Sequence, residues 1–374
     1  MKVALVHDWL VGMRGGEKCL EVFCELFPQA DLYTLVYAPD RVSPIIRKMT
    51  VHPSWIGRLP QAGKYFRYLL PLFPHAIERF ELADYDLVLS SSHCVAKGVF
   101  PRRALHIAYV HAPMRYVWDL HDAYLAGHSS LLSRVGLGLS RSYLQRWDRD
   151  SSSRVDCFIA NSQNVRNKIE RFYGRPASVV CPPVDSDRFH CATAPADYYL
   201  IVSALVAYKR IDIAIEAFNG LRLPLKIVGT GPLLRALKQR ARSNIEFLGS
   251  VDDMRLAELY ASCQALIFPG EEDFGIVPLE AQASGRPVIG FGRGGLLETV
   301  VGVDGRNEGA APTGIFFGDQ TAASLGAAVR DFEMNRQRFD PTAIRAHAAR
   351  FNRERFKREI AQAIDACFKR SGGV

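Results

Sequence analysis

Short apolar runs recur along the chain, and most of them end in a glycine-containing or polar loop that leads into a helical pattern. Such runs are typical of buried strands, and apolar residues at helical spacing follow several of them. The alternation of strand and helix predicts an α/β fold built around parallel sheets. The predicted strands lie near residues 2–7, 32–36, 85–90, 105–110, 156–160, 199–202, 225–228, 245–249, 265–268, 288–290 and 314–317.

One stretch in the second half combines a strand, a polar loop and a helix start. Ala265–Phe268 predicts a buried strand, Pro278 suits a helix start, and Gly285 suits a helix end. The N–H groups of such a loop and helix start favour an anion, phosphate above all. Glu272 and Glu280 flank this point with seven residues between them, and carboxylates there favour hydrogen bonds to sugar or ribose hydroxyls. Acidic residues near a helix start are also common without a function, because they suit the macrodipole.

The string from Phe268 to Ile289 resembles the Glu-x7-Glu signature of retaining GT-B glycosyltransferases of family 4. The resemblance covers essentially the whole chain and implies a GT-B fold, in which two Rossmann-like domains face each other across a cleft. Residues 1–190 are then expected to form the N-terminal acceptor-side domain and residues 196–350 the nucleotide-sugar domain. A C-terminal helix, about 351–374, is expected to pack back on the N-terminal domain.

Basic and glycine residues after the predicted strands match donor-site positions of the resembled family. A lysine at a helix start opposes the macrodipole unless an anion neutralises it, and the resemblance implies that Lys209 binds the donor diphosphate. The arginine that usually accompanies it is replaced by Ala204. Arg210 is a candidate for the second positive charge, and a weakened donor site is the alternative. The other donor-site residues that the resemblance implies are Gly15, Gly16, Gly229, Leu248, Phe274, Gly275, Ile276 and Glu280.

Polar residues also follow the strands of the first half, at the edge where α/β folds bind ligands. The strand 105–110 runs into His111. A lone histidine is usually structural, but in the resembled family a histidine at this point faces the transferred sugar. Arg115, Trp118 and Asp119 resemble the residues at this point in a subgroup of bacterial O-antigen and exopolysaccharide mannosyltransferases. We therefore expect Arg115 and Asp119 on the acceptor side, with His111 and Asp119 lining the cleft.

The resemblance implies a retaining, metal-independent hexosyltransferase with catalytic roles for His111, Glu272 and Lys209. Glu272 would hold the sugar hydroxyls and Glu280 the ribose, and no protein nucleophile is assigned. A nucleotide diphosphate sugar, GDP-mannose by the subgroup resemblance, is expected as co-substrate, with no cofactor and no metal. The expected acceptor is a lipid-linked or other glycan of bacterial surface polysaccharide synthesis. The alternatives are a donor-binding but catalytically weak or partner-dependent protein of this fold, and a sugar-nucleotide epimerase.

Charge and composition bear on the partners and the compartment. The net charge of +8 favours an anionic partner, and no nucleic-acid motif is visible, so nucleic acid is not expected. Segments 54–80 and 131–154 mix basic with aromatic and aliphatic side chains, as membrane-surface segments do, although core helices with a solvated basic edge show the same pattern. No apolar run reaches the ~18 residues of a membrane span. With scattered cysteines and no signal-peptide pattern, we expect a cytoplasmic protein, peripheral on the inner face of the plasma membrane.

Overall fold

The computed structural model describes residues 1–119, 131–192, 194–303 and 311–371, without the side chains of 131–137, 139 and 371. The chain forms two compact units. One unit consists of Met1–Pro183 together with the C-terminal segment from Arg353, and the other of Val184–Asn352. Each unit contains one parallel sheet with helices, which confirms the predicted α/β class.

The sheet of the first unit is formed by β1 (Val3–His7), β2 (Asp31–Thr34), β3 (Thr50–Pro53), β4 (Leu87–Ser92), β5 (Leu105–Val110), β6 (Cys157–Ala160) and β7 (Ala177–Val179). The strand order is β3-β2-β1-β4-β5-β6-β7, and all neighbours are parallel. Strands β1 and β4 are buried along their whole length, which explains why they appear in the sequence as apolar runs. The strand order proceeds outward from β1 to β3 on one side and from β4 to β7 on the other, so the switch point lies between β1 and β4. Parallel α/β sheets bind ligands at the carboxyl ends of the strands at such a point.

One helix of the first unit has clear residue signals at both ends. The Ser162 hydroxyl accepts a hydrogen bond from the Val165 N–H at 3.0 Å and thereby caps the start of its helix, and Gly174 ends the same helix with φ +65°. Before the C-terminal segment, the helices of this unit are α1 (Gly15–Leu26), α2 (Pro44–Arg47), α3 (Ala62–Tyr65), α4 (Phe73–Ile77), α5 (Leu131–Asp150) and α6 (Gln163–Tyr173).

The basic and aromatic segment 54–80 is a chain of short turns rather than one helix. Two 3-10 turns, Ile56–Arg58 and Phe66–Leu72, alternate with α3 and α4. Pro60, Pro71 and Pro74 interrupt the segment, because proline lacks an N–H and clashes with the preceding turn. At intervals of three to four residues the segment places a side chain in the core of the unit, and these core residues include Phe66, Leu70, Phe73 and Ile77. Other side chains of the segment are exposed.

The sheet of the second unit has the order β10-β9-β8-β11-β12-β13 and is again parallel. Its strands are β8 (Tyr199–Val202), β9 (Leu225–Val228), β10 (Ile245–Gly249), β11 (Leu266–Phe268), β12 (Val288–Phe291) and β13 (Gly314–Phe317). Its helices are α7 (Ile211–Leu221), α8 (Leu234–Arg240), α9 (Asp253–Ser262), α10 (Ile276–Ala283), α11 (Leu296–Thr299), α12 (Ala322–Met334) and α13 (Pro341–Ala349). Here the switch point lies between β8 and β11.

Helix α10 begins two residues before the predicted Pro278. Gly275 precedes it with φ +98°, a conformation that other residues rarely adopt, and Pro278 lies in the first turn, where a missing N–H costs no hydrogen bond. The helix ends at Ala283, and Gly285 follows with φ +68°, as the sequence predicts.

The boundary between the units differs from the predicted one by a few residues. The sequence places the first domain up to residue 190 and a linker to 195, whereas residues from Val184 onward belong to the second unit. Phe189 is buried, with its ring centroid 5.7 Å from that of Tyr260, and its carbonyl accepts a hydrogen bond from Arg345 at 2.9 Å. These contacts with residues of the second unit explain why the segment around Phe189 belongs to that unit and does not form a linker.

The C-terminal helix α14 (Arg353–Ser371) packs on the first unit. Phe356 stacks on Phe23 of α1 with ring centroids 6.1 Å apart, and Ile360 and Ile364 join the same apolar cluster. Arg353 forms an ion pair with Glu25 at 2.7 Å. An amphipathic stripe at helical spacing accounts for this packing.

Candidate functional site

In the second unit, the loops after the neighbouring strands β8 and β11 meet at the switch point. The loop after β8 carries Lys209, and the loop after β11 carries Glu272. The Lys209 ammonium forms an ion pair with the Glu272 carboxylate, and both side chains are largely buried, with 17% and 14% exposed. This pair places a positive and a negative group where α/β sheets bind ligands.

Glycines allow the loops at this point to approach each other closely. A Cβ atom on Gly270 would lie 3.0 Å from the Lys209 Cα, and one on Gly294 would lie 2.4 Å from the Glu272 carbonyl oxygen. The Gly295 N–H donates to the same carbonyl at 2.8 Å. The backbone of Gly294 and Gly295 therefore packs closely against the Glu272 carbonyl, and the loop that carries Glu272 leads directly into the N-terminus of α10. Phe274 and Gly275 in this loop are buried, and Ile276 opens the helix.

Glu280 lies on α10, one turn beyond its start. The Tyr260 hydroxyl donates a hydrogen bond to Glu280 Oε2 at 2.8 Å. Tyr260 is completely buried, and burial together with the adjacent Glu280 charge raises its pKa well above the ordinary value. Tyr260 thus stays protonated and fixes the orientation of the Glu280 carboxylate.

Arg210 is held by polar side chains of its own surroundings. Its guanidinium contacts Asp212 Oδ1 at 3.3 Å and donates to Gln320 Oε1 at 3.1 Å. Arg210 has a left-handed backbone conformation, φ +52°, immediately before α7. Ala204, at the position where the resembled family has an arginine, is exposed.

Gly229 and Leu248 lie at the carboxyl ends of the neighbouring strands β9 and β10. A Cβ atom on Gly229 would lie 1.9 Å from the Ser203 carbonyl oxygen, and its φ is +133°, so only glycine fits there. The pairing of β10 with β9 shifts between Phe247 and Gly249, which leaves Leu248 outside the regular register. Both sites lie at the same edge of the sheet as Lys209.

In the first unit, a cluster of polar side chains lies at the carboxyl ends of β1, β4 and β5. Asp8 is completely buried, and its carboxylate accepts hydrogen bonds from four consecutive N–H groups, those of residues 93–96, at 2.6–3.0 Å. It also contacts His93 Nδ1 at 3.1 Å. Four donors offset the cost of burying this charge and fix the loop after β4.

His111 is connected to β1 through a serine. The Ser91 hydroxyl is hydrogen-bonded to His111 Nε2 at 2.8 Å and to His7 Nδ1 at 3.0 Å. Glu17 Oε1 lies 3.8 Å from His7 Nε2. Removal from water lowers the pKa of His111 well below its usual value, and the positive charge of Arg115 acts in the same direction, so His111 is neutral at pH 7.

Gly15 and Gly16 open helix α1 directly beside this cluster. A Cβ atom on Gly16 would lie 3.5 Å from His7 Cε1 and 3.6 Å from His111 Nε2. Glu17 closes the helix start, since its carboxylate accepts the Arg14 N–H at 2.9 Å. The structure therefore brings Gly16 and His111 together.

Asp119 lies elsewhere in the unit. Its carboxylate forms an ion pair with Lys168 of α6, and the ring of the preceding Trp118 stacks on Phe172 of the same helix with centroids 4.6 Å apart. The side-chain contacts of Asp119 are thus with α6, whereas those of His111 are with Ser91 of β4, with His93 after this strand and with Tyr109 of β5. Arg115 is half-buried and influences His111 electrostatically.

Sequence reasoning missed His7, Asp8, Glu17 and Ser91 as members of the cluster. The available signal was positional, because His7-Asp8 and Ser90-Ser91-Ser92 end two apolar strands. Within the described residues, no group of three or more His, Cys, Asp or Glu side chains is arranged to hold a metal ion. None of the described helices is both long and apolar enough to cross a membrane.

Two family models match consecutive parts of the chain. The model described as Glycosyltransferase Family 4 matches residues 13–188, and the model described as Glycosyl transferases group 1 matches residues 196–332. O-antigen chain mannosyltransferase C of Escherichia coli is 31% identical over 153 residues, which are 36% of this chain and 41% of that protein. The GDP-mannose-dependent alpha-(1-6)-phosphatidylinositol monomannoside mannosyltransferase of Mycobacterium tuberculosis is 29% identical over 272 residues, 60% of this chain and 70% of that protein. The matched part thus spans less than half of the E. coli protein.

Among solved structures, HepE of Anabaena in complex with UDP is similar to this chain along its length. The TM-score is 0.70 at 17% sequence identity, and the alignment covers 98% of this chain and 100% of HepE. At this identity the likeness concerns the fold, and it confirms the GT-B class that the sequence predicts.

Proposed function

The chain belongs to the family-4 glycosyltransferases, and from this membership we propose that it transfers a sugar from a nucleotide diphosphate sugar, with retention of configuration and without a metal ion. The observation that carries the proposal is the Lys209–Glu272 pair at the switch point of the second sheet, next to the start of α10. An ammonium group and the N–H groups of a helix start are complementary to a diphosphate.

The donor site is proposed from the residues around this pair. Lys209 would hold the diphosphate and Glu280, oriented by Tyr260, the ribose hydroxyls. Glu272 would turn from Lys209 to the hydroxyls of the transferred sugar. Gly229 and Leu248, at the ends of β9 and β10, would leave backbone groups for the rest of the nucleotide.

Transfer requires stabilisation of the departing diphosphate and of a positively charged sugar centre. Fixed positive charge from Lys209 and the start of α10 would stabilise the leaving group in the transition state. We propose that the departing phosphate itself accepts the proton of the attacking hydroxyl, on the same face of the sugar. That route retains configuration and requires no carboxylate nucleophile in the protein.

GDP-mannose is the proposed donor. The names of two relatives support this choice, because one is an O-antigen chain mannosyltransferase and the other a GDP-mannose-dependent mannosyltransferase. HepE, which is similar in fold, has been solved in complex with UDP, so UDP-sugars are the first alternative donors to test. The epimerase alternative predicts interconversion of a free nucleotide sugar without an acceptor, and a donor assay distinguishes it.

The proposed acceptor is a lipid-linked glycan at a membrane surface. In the first unit, Tyr68 is 70% exposed and Leu72 44%, next to exposed Lys64 and Arg67. On α5, Tyr143 is 50% exposed, and this helix packs against the 66–72 turn. Exposed aromatic and basic side chains on neighbouring elements favour contact with anionic lipid. The other predicted members of this surface, among them Leu131, Leu132, Arg134, Val135, Leu137 and Leu139, have side chains outside the described residues.

Calorimetric titration with a panel of GDP- and UDP-sugars tests the proposal, with slow donor hydrolysis as a second readout. We expect one donor to bind preferentially and Lys209→Ala to weaken it roughly 10- to 100-fold, the effect of losing a charged hydrogen bond. Lys226→Ala is the matched control, because Lys226 belongs to the same unit and pairs with Glu246 at 3.8 Å. If no donor binds to the wild-type protein, the enzyme proposal fails, and Ala204 becomes evidence for a catalytically weak or partner-dependent family member.

A further inference from the structure

A continuous chain of contacts in the first unit connects a buried carboxylate to His111. Glu17 Oε1 lies 3.8 Å from His7 Nε2, His7 Nδ1 is 3.0 Å from the Ser91 hydroxyl, and that hydroxyl is 2.8 Å from His111 Nε2. Glu17, His7 and Ser91 are all nearly or completely buried. Residues of three different elements, α1, β1 and β4, thus form a series of contacts that ends at one ring nitrogen of His111.

The charge of Glu17 determines which groups donate and which accept along this series of contacts. Burial raises the pKa of Glu17, but the contact with His7 and the nearby His93 outweigh burial and hold the pKa below its ordinary value, so the carboxylate is ionised at pH 7. An anion near His7 Nε2 favours a proton on that nitrogen, which has no hydrogen-bond partner among the described residues. In an imidazole that carries this single proton on Nε2, Nδ1 is the acceptor.

The remaining two protons follow from the first. Since His7 Nδ1 accepts, the Ser91 hydroxyl donates to it. The Ser91 oxygen then accepts from His111, which places the His111 proton on Nε2. His111 Nδ1 is left with a lone pair, and in a neutral histidine the hydrogen bond of one nitrogen determines the role of the other.

We propose that Glu17, His7 and Ser91 are positioning residues that hold His111 in the Nε2–H tautomer, so that its Nδ1 accepts a hydrogen bond from a hydroxyl of the substrate. The inference rests on the proposed function for the identity of that hydroxyl, which belongs to the transferred sugar or to the acceptor. It extends the proposed function because it assigns roles to three residues outside the family signature. It also specifies that His111 accepts rather than donates.

A second serine–histidine pair in the same unit serves as a built-in comparison. The Ser90 hydroxyl is 2.9 Å from His106 Nε2, and His106 Nδ1 is 2.9 Å from the Arg154 carbonyl oxygen. A carbonyl can only accept, so His106 carries its proton on Nδ1. Neighbouring serines of β4 therefore contact two histidines for which we expect opposite tautomers, and only Ser91 lies in the candidate site.

Long-range ¹⁵N–¹H correlation spectra of the full chain labelled with ¹⁵N-histidine test the tautomer directly. The His111 signals are assigned from their loss in His111→Gln. In the wild-type protein we expect neutral His111 with the proton on Nε2. Ser91→Ala and Glu17→Gln are expected to convert this into a mixture of tautomers, whereas Ser91→Thr, which keeps the hydroxyl, and Ser90→Ala, the matched control, leave it unchanged. A proton on Nδ1 of His111 in the wild-type protein overturns the proposal.

Kinetics of sugar transfer supply the second readout. Ser91→Ala is expected to lower kcat roughly tenfold with little change of the donor KM, the size of one lost hydrogen bond, and Ser91→Thr to restore most of it. Equal losses in Ser91→Ala and Ser90→Ala mean that only the fold was damaged, which contradicts a positioning role. Because the spectra need no substrate, absence of transfer in the wild-type protein would refute the proposed function while the tautomer result stands by itself.

Discussion

Lys209 and Glu272 neutralise each other although 63 positions separate them in the chain. The contact exists because β8 and β11 are neighbours in the sheet, so that the loops that follow them meet. A lysine at a helix start is electrostatically unfavourable unless an anion is close, and here the anion is a side chain of the protein. Binding of a diphosphate would therefore replace one negative partner of Lys209 by another.

Removal of the Glu272 charge should separate binding from transfer. In Glu272→Gln we expect GDP to bind roughly fivefold more tightly, because Lys209 no longer has to leave an ion pair worth about 1 kcal/mol. Sugar transfer should fall at least tenfold, since the carboxylate is proposed to hold the sugar hydroxyls. Calorimetry and a transfer assay measure the two effects, with the exposed neighbour variant Glu271→Gln as control. Weaker binding of GDP would contradict this role of the pair.

Ala204→Arg should strengthen the donor site. Ala204 is exposed in the loop after β8, where an arginine has room, and Arg210 is already held by Asp212 and Gln320. We expect roughly tenfold tighter binding of the nucleotide diphosphate, the size of one added charged hydrogen bond. Ala207→Arg, exposed in the same loop, controls for net charge. Equal gains in both variants would mean that charge alone, and not position 204, is responsible.

Tyr260→Phe should weaken the binding of the ribose hydroxyls of the nucleotide. The substitution removes only the hydroxyl that donates to Glu280 at 2.8 Å, and we expect roughly five- to tenfold weaker binding of GDP. The affinity for the 2′,3′-dideoxy analogue of GDP should fall less in this variant, because that analogue lacks the ribose hydroxyls with which Glu280 is proposed to form hydrogen bonds. Tyr198→Phe removes a comparable hydroxyl, bonded to the Leu259 carbonyl at 3.0 Å, and should leave both affinities unchanged. An equal loss for GDP and its dideoxy analogue would refute the ribose assignment.

His106 should make the stability of the first unit depend on pH. Burial lowers its pKa to about 4, although its hydrogen bond to the Arg154 carbonyl opposes the shift. In the unfolded chain His106 has an ordinary pKa of about 6.5, so it binds a proton between pH 6.5 and pH 4, where His106 of the folded protein stays neutral. Stability from the neutral histidine is therefore complete above about pH 6.5 and declines as pH falls toward 4, by about 2 kcal/mol between pH 7 and pH 5.

Urea denaturation of the wild-type protein and of His106→Gln between pH 5 and pH 7 isolates this contribution. The wild-type free energy of unfolding should fall more steeply than that of the variant, by the stated amount. His75→Gln, at an exposed histidine, should follow the wild-type curve. Parallel curves for wild type and His106→Gln would show that His106 does not cause the pH dependence.

The sequence predicted the local structure of the second unit well. The signature stretch folds as strand, loop and helix, and Gly275 and Gly285 adopt the positive φ angles that glycine favours. Helix α10 starts earlier than Pro278 suggests, because Gly275 already turns the chain. Where prolines interrupt residues 54–80, the mixture of basic and aromatic residues was a poor guide to structure, since periodicity cannot be judged across breaks in the helix.

The amino-acid pattern by itself determined which segments are buried strands and which are helices, and its signature residues indicated a sugar-nucleotide chemistry, because burial and capping are local properties of the chain. Only the tertiary structure decided which polar side chains meet. The links from His7 to Ser91 and from Ser91 to His111 join residues 84 and 20 positions apart, and Lys209 reaches Glu272 in the same way. Such contacts depend on the order and register of parallel strands, which the periodicity of a single strand does not contain.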